Sequence, residues 1–374
     1  MHYHRTASLF LSLLLAACTA PPPLTEFPNY LAALAEGPLG ADFSLLENDH
    51  KLHLLFADYK TLSLKLLILD DRNSRGKLEI KENHFLDKVS FSPEIDSLFG
   101  NHIYLVKENQ QHLFYLDQEG EDRRILKWIR KDLSEEKWNI DAYPFSGKII
   151  SAILNENVDV FFHEHEALYH LPCFPAEQAV KKILSTSSLS TEASLIQQGS
   201  FKGFTVFDGD TKKLQLITPS VNGYKAEPLI DSGEIHYSTI DNHQRLQILN
   251  YSQNSNELTL YRQNADSDSF EVTPVTLSRG TRSVFLFNIN SIDIFLFNES
   301  GINQNQEHIY QLVMVFPQES KYTKTVLLQN TIPISGFKAL LSGNKLYIAL
   351  LQESLAILVV DLKALIVNLG LILD

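Results

Sequence analysis

Residues 206–216 read VFDGDTKKLQL: a branched and aromatic run, an Asp-Gly pair among polar neighbours, then a second alternating run. Period-two alternation on both sides of Asp-Gly marks a β-hairpin, with the glycine expected at a positive φ. The two aspartates could also suggest calcium, but the further oxygen ligands at fixed spacing are missing. The pattern is not local. KLHLLF, HIYLV, LFYLD, LQILN, ELTLY, KLYIAL and AILVVD are runs of the same kind, separated by Asp, Asn, Gly, Ser and Gln. Strand signals dominate the chain.

The runs recur as a unit: apolar strand, short polar turn, second strand, then a polar turn opening with Asp or a substitute. The marks fall at Asp70, Asp117, His163, Asp208, Asn250, Pro317 and Asp361, with spacings of 47, 46, 45, 42, 67 and 44. The long interval is ascribed to a polar insertion, NESGINQNQE, at Asn298–Glu307. Seven units of about 46 residues, each with room for four short strands, predict an all-β chain that resembles a β-propeller. One such sheet cannot bury both faces alone, and a ring of them can. The blades lack Trp-Asp endings, Gly-Gly kelch pairs and S-x-D-x-G-x-x-W boxes, so no propeller family is specified. Arg130–Trp138 and Phe174–Leu184 read as helical excursions. The first blade is expected to begin near Ala41–Glu47 and the last to end near Leu362–Leu369, in phase with the chain. In the alternative, Tyr30–Glu36 forms a small helix sealing the joint.

The chain opens with Arg5 in a short polar segment, then an apolar run, Ala7–Ala17, broken by Ser8 and Ser12. As a helix this covers only about half of a bilayer, where about 20 residues are needed. It fits the apolar region of a secretory signal. The run ends Leu15-Ala16-Ala17-Cys18, which resembles the lipobox of bacterial lipoproteins. That resemblance covers the first 18 residues. It implies cleavage before Cys18 and a diacylglyceryl thioether on its sulfur, a stable anchor because more than one acyl chain is attached. Thr19 after the anchor implies export to the outer membrane, facing the periplasm; the alternative is an inner-membrane or surface-exposed lipoprotein. Thr19–Asn29 holds four prolines, an extended spacer of about 30 Å. The expected division is a signal at 1–17, a lipidated tether at 18–40 and a propeller at 41–374.

Composition narrows the function. A net charge of −13, from 32 basic against 45 acidic residues, argues against a nucleic-acid surface. Cys18 and Cys173 are the two cysteines. With Cys18 acylated no disulfide can form within the chain, so the core alone holds the fold, and Cys173 reads as a small buried hydrophobe. Ser354–Asp374 is apolar but carries Asp361 and Lys363 mid-run. Each such charge costs about 2.5–3.5 kcal/mol at a bilayer centre, so the segment reads as two buried strands turning at Asp361.

Site-like strings are few. VFFHEHEALYH, residues 160–170, places His163 and His165 two apart, as a strand-borne metal pair would be, with Glu164 and Glu166 between and after them. The repeat puts the string on a hairpin turn and supplies no third ligand, so it reads as a solvated turn. There is no G-x-S-x-G and no phosphate loop, and no cofactor or metal is expected. The candidate partner-binding loop is the insertion itself: Asn298, Glu299, Ser300, Gly301, Ile302, Asn303, Gln304, Asn305, Gln306 and Glu307. Long loops on rigid scaffolds carry function, and this one is expected on the same face as the connections between blades. The expectation is a non-enzymatic interaction module, held to the membrane through acylated Cys18 and engaging envelope proteins. In broad architecture this resembles the propeller lipoprotein of the outer-membrane β-barrel assembly machinery. The alternatives are a small-molecule or glycan binder in the central funnel, and a propeller-type hydrolase or lyase.

Overall fold

The structure, a computed structural model, describes residues 30–368 apart from 37–38, 59, 72–77, 90–101, 108–109, 120–122, 133–136, 155–157, 175–179, 199–200, 232–234, 266, 268, 290, 304, 319–320 and 353. Cys18, the signal segment and the proline-rich stretch lie outside the described residues, as does the side chain of Cys173.

Seven antiparallel four-stranded sheets form the blades of a β-propeller. Blade one is β2 (Leu39–Asn48), β3 (Lys51–Asp58), β4 (Ser63–Asp70) and β5 (Glu79–Lys88). Blade two is β6 (Ile103–Lys107), β7 (Gln110–Glu119), β8 (Arg123–Asp132) and β9 (Asn139–Pro144). Blade three is β10 (Lys148–Leu154), β11 (Val158–Glu164), β12 (Ala167–Phe174) and β13 (Lys181–Ser185). Blade four is β14 (Leu189–Gln198), β15 (Phe201–Asp208), β16 (Lys213–Ser220) and β17 (Gly223–Asp231). Blade five is β18 (Ile235–Ile240), β19 (Leu246–Ser252), β20 (Glu257–Gln263) and β21 (Phe270–Leu277). Blade six is β22 (Val284–Ile289), β23 (Ile292–Ile302), β24 (His308–Gln318) and β25 (Lys321–Asn330). Blade seven takes β26 (Gly336–Ser342), β27 (Lys345–Leu351) and β28 (Ser354–Asp361), and its fourth, outer strand is β1 (Tyr30–Glu36).

Burial explains the sequence of each strand. The second strand is covered on both faces, so β3 and β27 are buried along almost their whole length and read as continuous apolar runs. The outer strand faces solvent and is polar; β5 reads EIKENHFLDK. Charge on such an edge discourages pairing with another chain. The core lies between blades. Leu54 and Leu67 of blade one pack with Tyr347 and Ile357 of blade seven, and Phe295 and Val313 of blade six with Leu249 and Leu258 of blade five.

Closure differs from the expectation. Tyr30–Glu36 is neither tether nor helix: it pairs antiparallel with β28, Tyr30 opposite Val359 and Glu36 opposite Ser354. The blades therefore run out of phase with the chain, and the N-terminal strand completes the last blade. Leu362–Asn368 is a helix, α1, where a strand was expected. Asp361 starts it, its Oδ1 accepting from the Ala364 N–H at 3.1 Å, the geometry of an N-cap. Among the described residues no helix is long and apolar enough to cross a membrane.

The two predicted helical excursions are not helical where they are described, and part of each is strand. Arg130–Asp132 ends β8, Arg130 opposite His112, and Lys181–Ser185 is β13. Pairing to a preformed neighbour outweighs the modest helix preference of Lys and Glu.

The repeat marks are also out of step. Asp117, His163, Asp208 and Asn250 lie on second strands, but Asp70, Pro317 and Asp361 lie on third strands. The equivalents on blades one and six are Asp58 and Asn298. Asn250 to Asn298 is 48 residues, so the 67-residue interval records this slip by one strand. Turns after second and third strands look alike in sequence, which is why the phase was lost.

Candidate functional site

Two kinds of loop share one face: turns between second and third strands, and connections between blades. One backbone bond recurs there. Val89 N–H donates to the Leu62 carbonyl (3.0 Å), Thr186 to Glu166 (3.0 Å) and Ser278 to Asn256 (2.8 Å). The turns before Ser63, Lys213 and Glu257 each end on a left-handed residue: Leu62 at φ 47°, Lys212 at 57° and Asn256 at 54°. In VFDGDTKKLQL the positive φ thus belongs to Lys212, and Gly209 is not among the left-handed residues. Gly209 serves close approach. A Cβ there would collide with the Ser188 hydroxyl and come within 3.0 Å of the Ser188 Cβ.

The recurring polar residue at the end of the second strand ties these loops together. Asp208 is fully buried and accepts from the Thr186 hydroxyl at 2.6 Å. Asp58 accepts from Lys60 N–H (3.0 Å) and pairs with Lys65 (2.5 Å). His163 Nε2 meets the Thr186 carbonyl at 2.9 Å. A carbonyl only accepts, so His163 donates from Nε2 and is a structural tie. His165 sits in the turn at φ 52°. Among the described residues no group of three or more His, Cys, Asp and Glu is arranged to hold a metal.

The insertion lies on this loop face, between the second and third strands of blade six. It is a prolongation of the hairpin rather than a ten-residue loop. Asn298–Ile302 is the last part of β23, with Ser300 opposite Tyr310 and Ile302 opposite His308. Only 303–307 turns, Gln304 lying outside the described residues. Asn303 Oδ1 accepts from the N–H groups of Asn305 and Glu307, both at 2.9 Å. Asn298, read as part of the binding loop, is 4% exposed and braces the base. Its Oδ1 accepts from the N–H of Arg282 (3.1 Å) and Ser283 (2.9 Å), and its Nδ2 donates to the Ile334 carbonyl (3.3 Å). Ser300 N–H donates to the Arg279 carbonyl at 2.8 Å. Gly280, at φ +64°, lets the chain lie against Ser300. Lys324 bonds Glu299 at 3.0 Å and the Leu277 carbonyl at 2.7 Å. Above this bracing, Ile302 is 60% exposed; Leu277, on the same face, is 68% exposed.

The opposite face holds a site that the sequence analysis did not find. The turn joining β18 to β19 and the turn joining β22 to β23 flank a pocket of ≈ 170 Å³. Asp241, Arg245 and Gln247 of blade five and its Arg262 meet Asn288 and Asp293 of blade six. These residues lie 52 positions apart (241 to 293) on two blades, and no local spacing links them.

No protein-family model matches the chain, and no curated protein matches it in sequence. Solved structures do share the fold. Streptogramin B lyase aligns with TM-score 0.50 at 13% identity, over 88% of this chain and 97% of that one. YCF48 bound to a D1 peptide aligns with TM-score 0.51 at 13% identity, over 91% and 99%. An ancestral GH74 enzyme aligns with TM-score 0.52 at 7% identity, over 87% of this chain and 48% of that one. At such identities the likeness establishes the propeller and nothing finer.

Proposed function

We propose that this chain is a lipid-anchored propeller of the bacterial envelope, a non-enzymatic module that engages a protein partner over its loop face. The observation that carries this reading is the blade-six hairpin, braced at its base by Asn298 and Ser300 and open at Ile302. A pre-organised element loses little conformational entropy on binding. An exposed aliphatic residue within an Asn/Gln-rich rim has the composition of a small interface centre. A propeller of this fold has been solved with a bound peptide, while others are a lyase and a glycoside hydrolase, so fold alone does not choose among functions. The lipobox-like Leu15–Cys18 supplies the anchor, and the outer membrane facing the periplasm is the proposed location.

The test is crosslinking in living cells, followed by detergent purification of the lipidated protein. A variant with 303–307 replaced by Gly-Ser and Ile302→Ser runs in parallel. Stoichiometric partners that weaken in the variant support the reading; a protein recovered alone from both strains overturns it. Cys18→Ser should release the protein from the membrane fraction, and retention there would sink the anchor.

A second reading, a ligand in the central channel, has one observation in its favour. Tyr237, on the innermost strand β18, keeps its ring partly open beside Phe285, centroids 4.7 Å apart. Burial nevertheless pushes its phenol up to about 12.

A further inference from the structure

The pocket between blades five and six has an uneven inventory of donors and acceptors. Its two carboxylates are occupied by protein. Asp241 Oδ1 accepts from the N–H of His243 (2.8 Å) and Arg245 (2.9 Å), and Oδ2 from Arg245 Nε (2.9 Å) and Nη2 (2.7 Å). Burial alone would raise this carboxyl, but those bonds outweigh it and hold it below the usual carboxylate range. Asp293 accepts from Arg262 Nη2 at one oxygen, and from Asn288 Nδ2 and Gln247 Nε2 at the other. A carboxylate oxygen has about two acceptor sites, so neither acid has much left for a ligand.

The free donors outnumber the one buried acceptor left open, the Gln247 Oε1. A guanidinium carries five N–H groups, and Arg245 gives Asp241 only its Nε and one Nη. Its side chain is 31% exposed, so the outer edge of the fork reaches solvent. Arg262 Nε is buried with no hydrogen-bond partner. The exposed His243 and Ser291 stand at the mouth with further donors. A pocket whose acids are engaged and whose guanidiniums are held in place is suited to a guest that mainly accepts, with the Gln247 Oε1 open to a donor on its stem or to water. The planar fork matches a carboxylate in two parallel bonds. The volume equals roughly five or six waters at about 30 Å³ each, enough for a carboxylate and a short stem.

We propose that this pocket binds a carboxylate, from a small organic acid or an acidic side chain, with the Arg245 fork as the main contact. The site lies on the face opposite the blade-six hairpin, so it and the interaction reading can fail independently.

The test is saturation-transfer NMR titration of the full-length protein in detergent at constant ionic strength. The probes are succinate, a tripeptide with a central glutamate blocked at both termini, and inorganic phosphate. Saturable binding of succinate or the peptide is expected, weakened at least tenfold by Arg245→Lys, which keeps the charge and loses the fork. Which of the two probes binds more tightly separates a free acid from an acidic side chain. His243→Glu, an exposed change placing a like charge at the mouth, should weaken binding equally and serves if Arg245→Lys does not fold. Failure of both carboxylates to saturate, binding of phosphate alone, or unchanged affinity in the folded variants overturns the proposal.

Discussion

Lys345 and Asp71 stand 274 positions apart in the chain and meet at 2.6 Å, Nζ to Oδ2. Tyr347 donates its hydroxyl to the same oxygen, also at 2.6 Å. Blade seven is thus fastened to blade one by side chains as well as by the core, while β1 completes blade seven from the N-terminal side. The break in the chain lies inside blade seven, between β28 and β1, and these bonds brace the neighbouring boundary with blade one. Asp71→Ala leaves a partly buried ammonium and phenol without their acceptor. The expected loss is about 1–3 kcal/mol, and Tyr347→Phe alone should cost about 1 kcal/mol. Urea unfolding reads both as a lower midpoint at unchanged slope. An unchanged midpoint in Asp71→Ala would mean that β1 and the core hold the seam unaided.

His53 sets a pH dependence. The Tyr104 hydroxyl gives its one proton to Gln111 Oε1 at 2.5 Å, so His53 must donate from Nδ1 to Tyr104, at 2.8 Å. Burial lowers the His53 pKa from 6.5 to about 4; Glu82 opposes this, and Lys51 and His84 add to it. Folded protein binds fewer protons than unfolded chain between these values, so stability is full above 6.5 and falls as pH drops toward 4. The loss approaches about 3 kcal/mol at about 1.4 kcal/mol per pKa unit. Asp58 acts in a separate window. Burial would raise it, but its bonds to Lys65 and Thr61 hold it below 3.8, so its contribution fades only as pH falls below that value. His53→Gln should make the stability profile shallower between pH 6.5 and 4, leaving the smaller share of His112, which burial also lowers, and should leave the acid limb in place. Parallel profiles for the two proteins would refute the assignment.

The turn 209–212 places the left-handed φ on Lys212 and not on the glycine, where the sequence suggested it. Gly209 donates to the Ser188 carbonyl at 2.7 Å and has no room for a side chain, while Lys212 carries the left-handed φ of 57°. Gly209→Ala should destabilise by about 1–3 kcal/mol through overpacking. Lys212→Gly relieves a strained backbone and should be neutral or stabilising by up to about 1 kcal/mol. Thermal unfolding of the pair distinguishes them; the reverse order would return the special φ to the glycine.

The propeller was legible because its cause is local. A second strand covered on both faces must be a short apolar run, and LHLLFA or LYIALL can be read without knowing a neighbour. The Asp or Asn at the end of that strand was legible on blades two, four and five, at Asp117, Asp208 and Asn250, and was missed on blades one and six. Phase and closure were not legible. Turns after second and third strands use the same residues, and YLAALAE becomes a strand only because β28 offers it an edge 318 residues away (36 to 354). The pocket was invisible for a stronger reason. Arg262 and Asp293 belong to different blades, and only the packing of those blades brings them together.

Asn298 and Asn303 stand in one insertion and should behave oppositely. Asn298 is buried and satisfies three backbone groups on two connections between blades, Arg282 and Ser283 on one and Ile334 on the other. Asn298→Ala leaves two N–H groups and a carbonyl unsatisfied under the loop face, at a cost of about 2–4 kcal/mol. Asn303 is half-buried, and its side chain bonds within its own turn, to Asn305 and Glu307. Asn303→Ala should cost less than about 1 kcal/mol globally while loosening the tip. Urea unfolding measures the first effect, and limited proteolysis at 303–307 the second. If the hairpin engages a partner, Asn303→Ala also weakens capture without moving the unfolding midpoint, because the tip is then pre-organised less. Equal destabilisation by both substitutions would mean that the whole insertion is scaffold, and the interface would have to be sought elsewhere on the loop face.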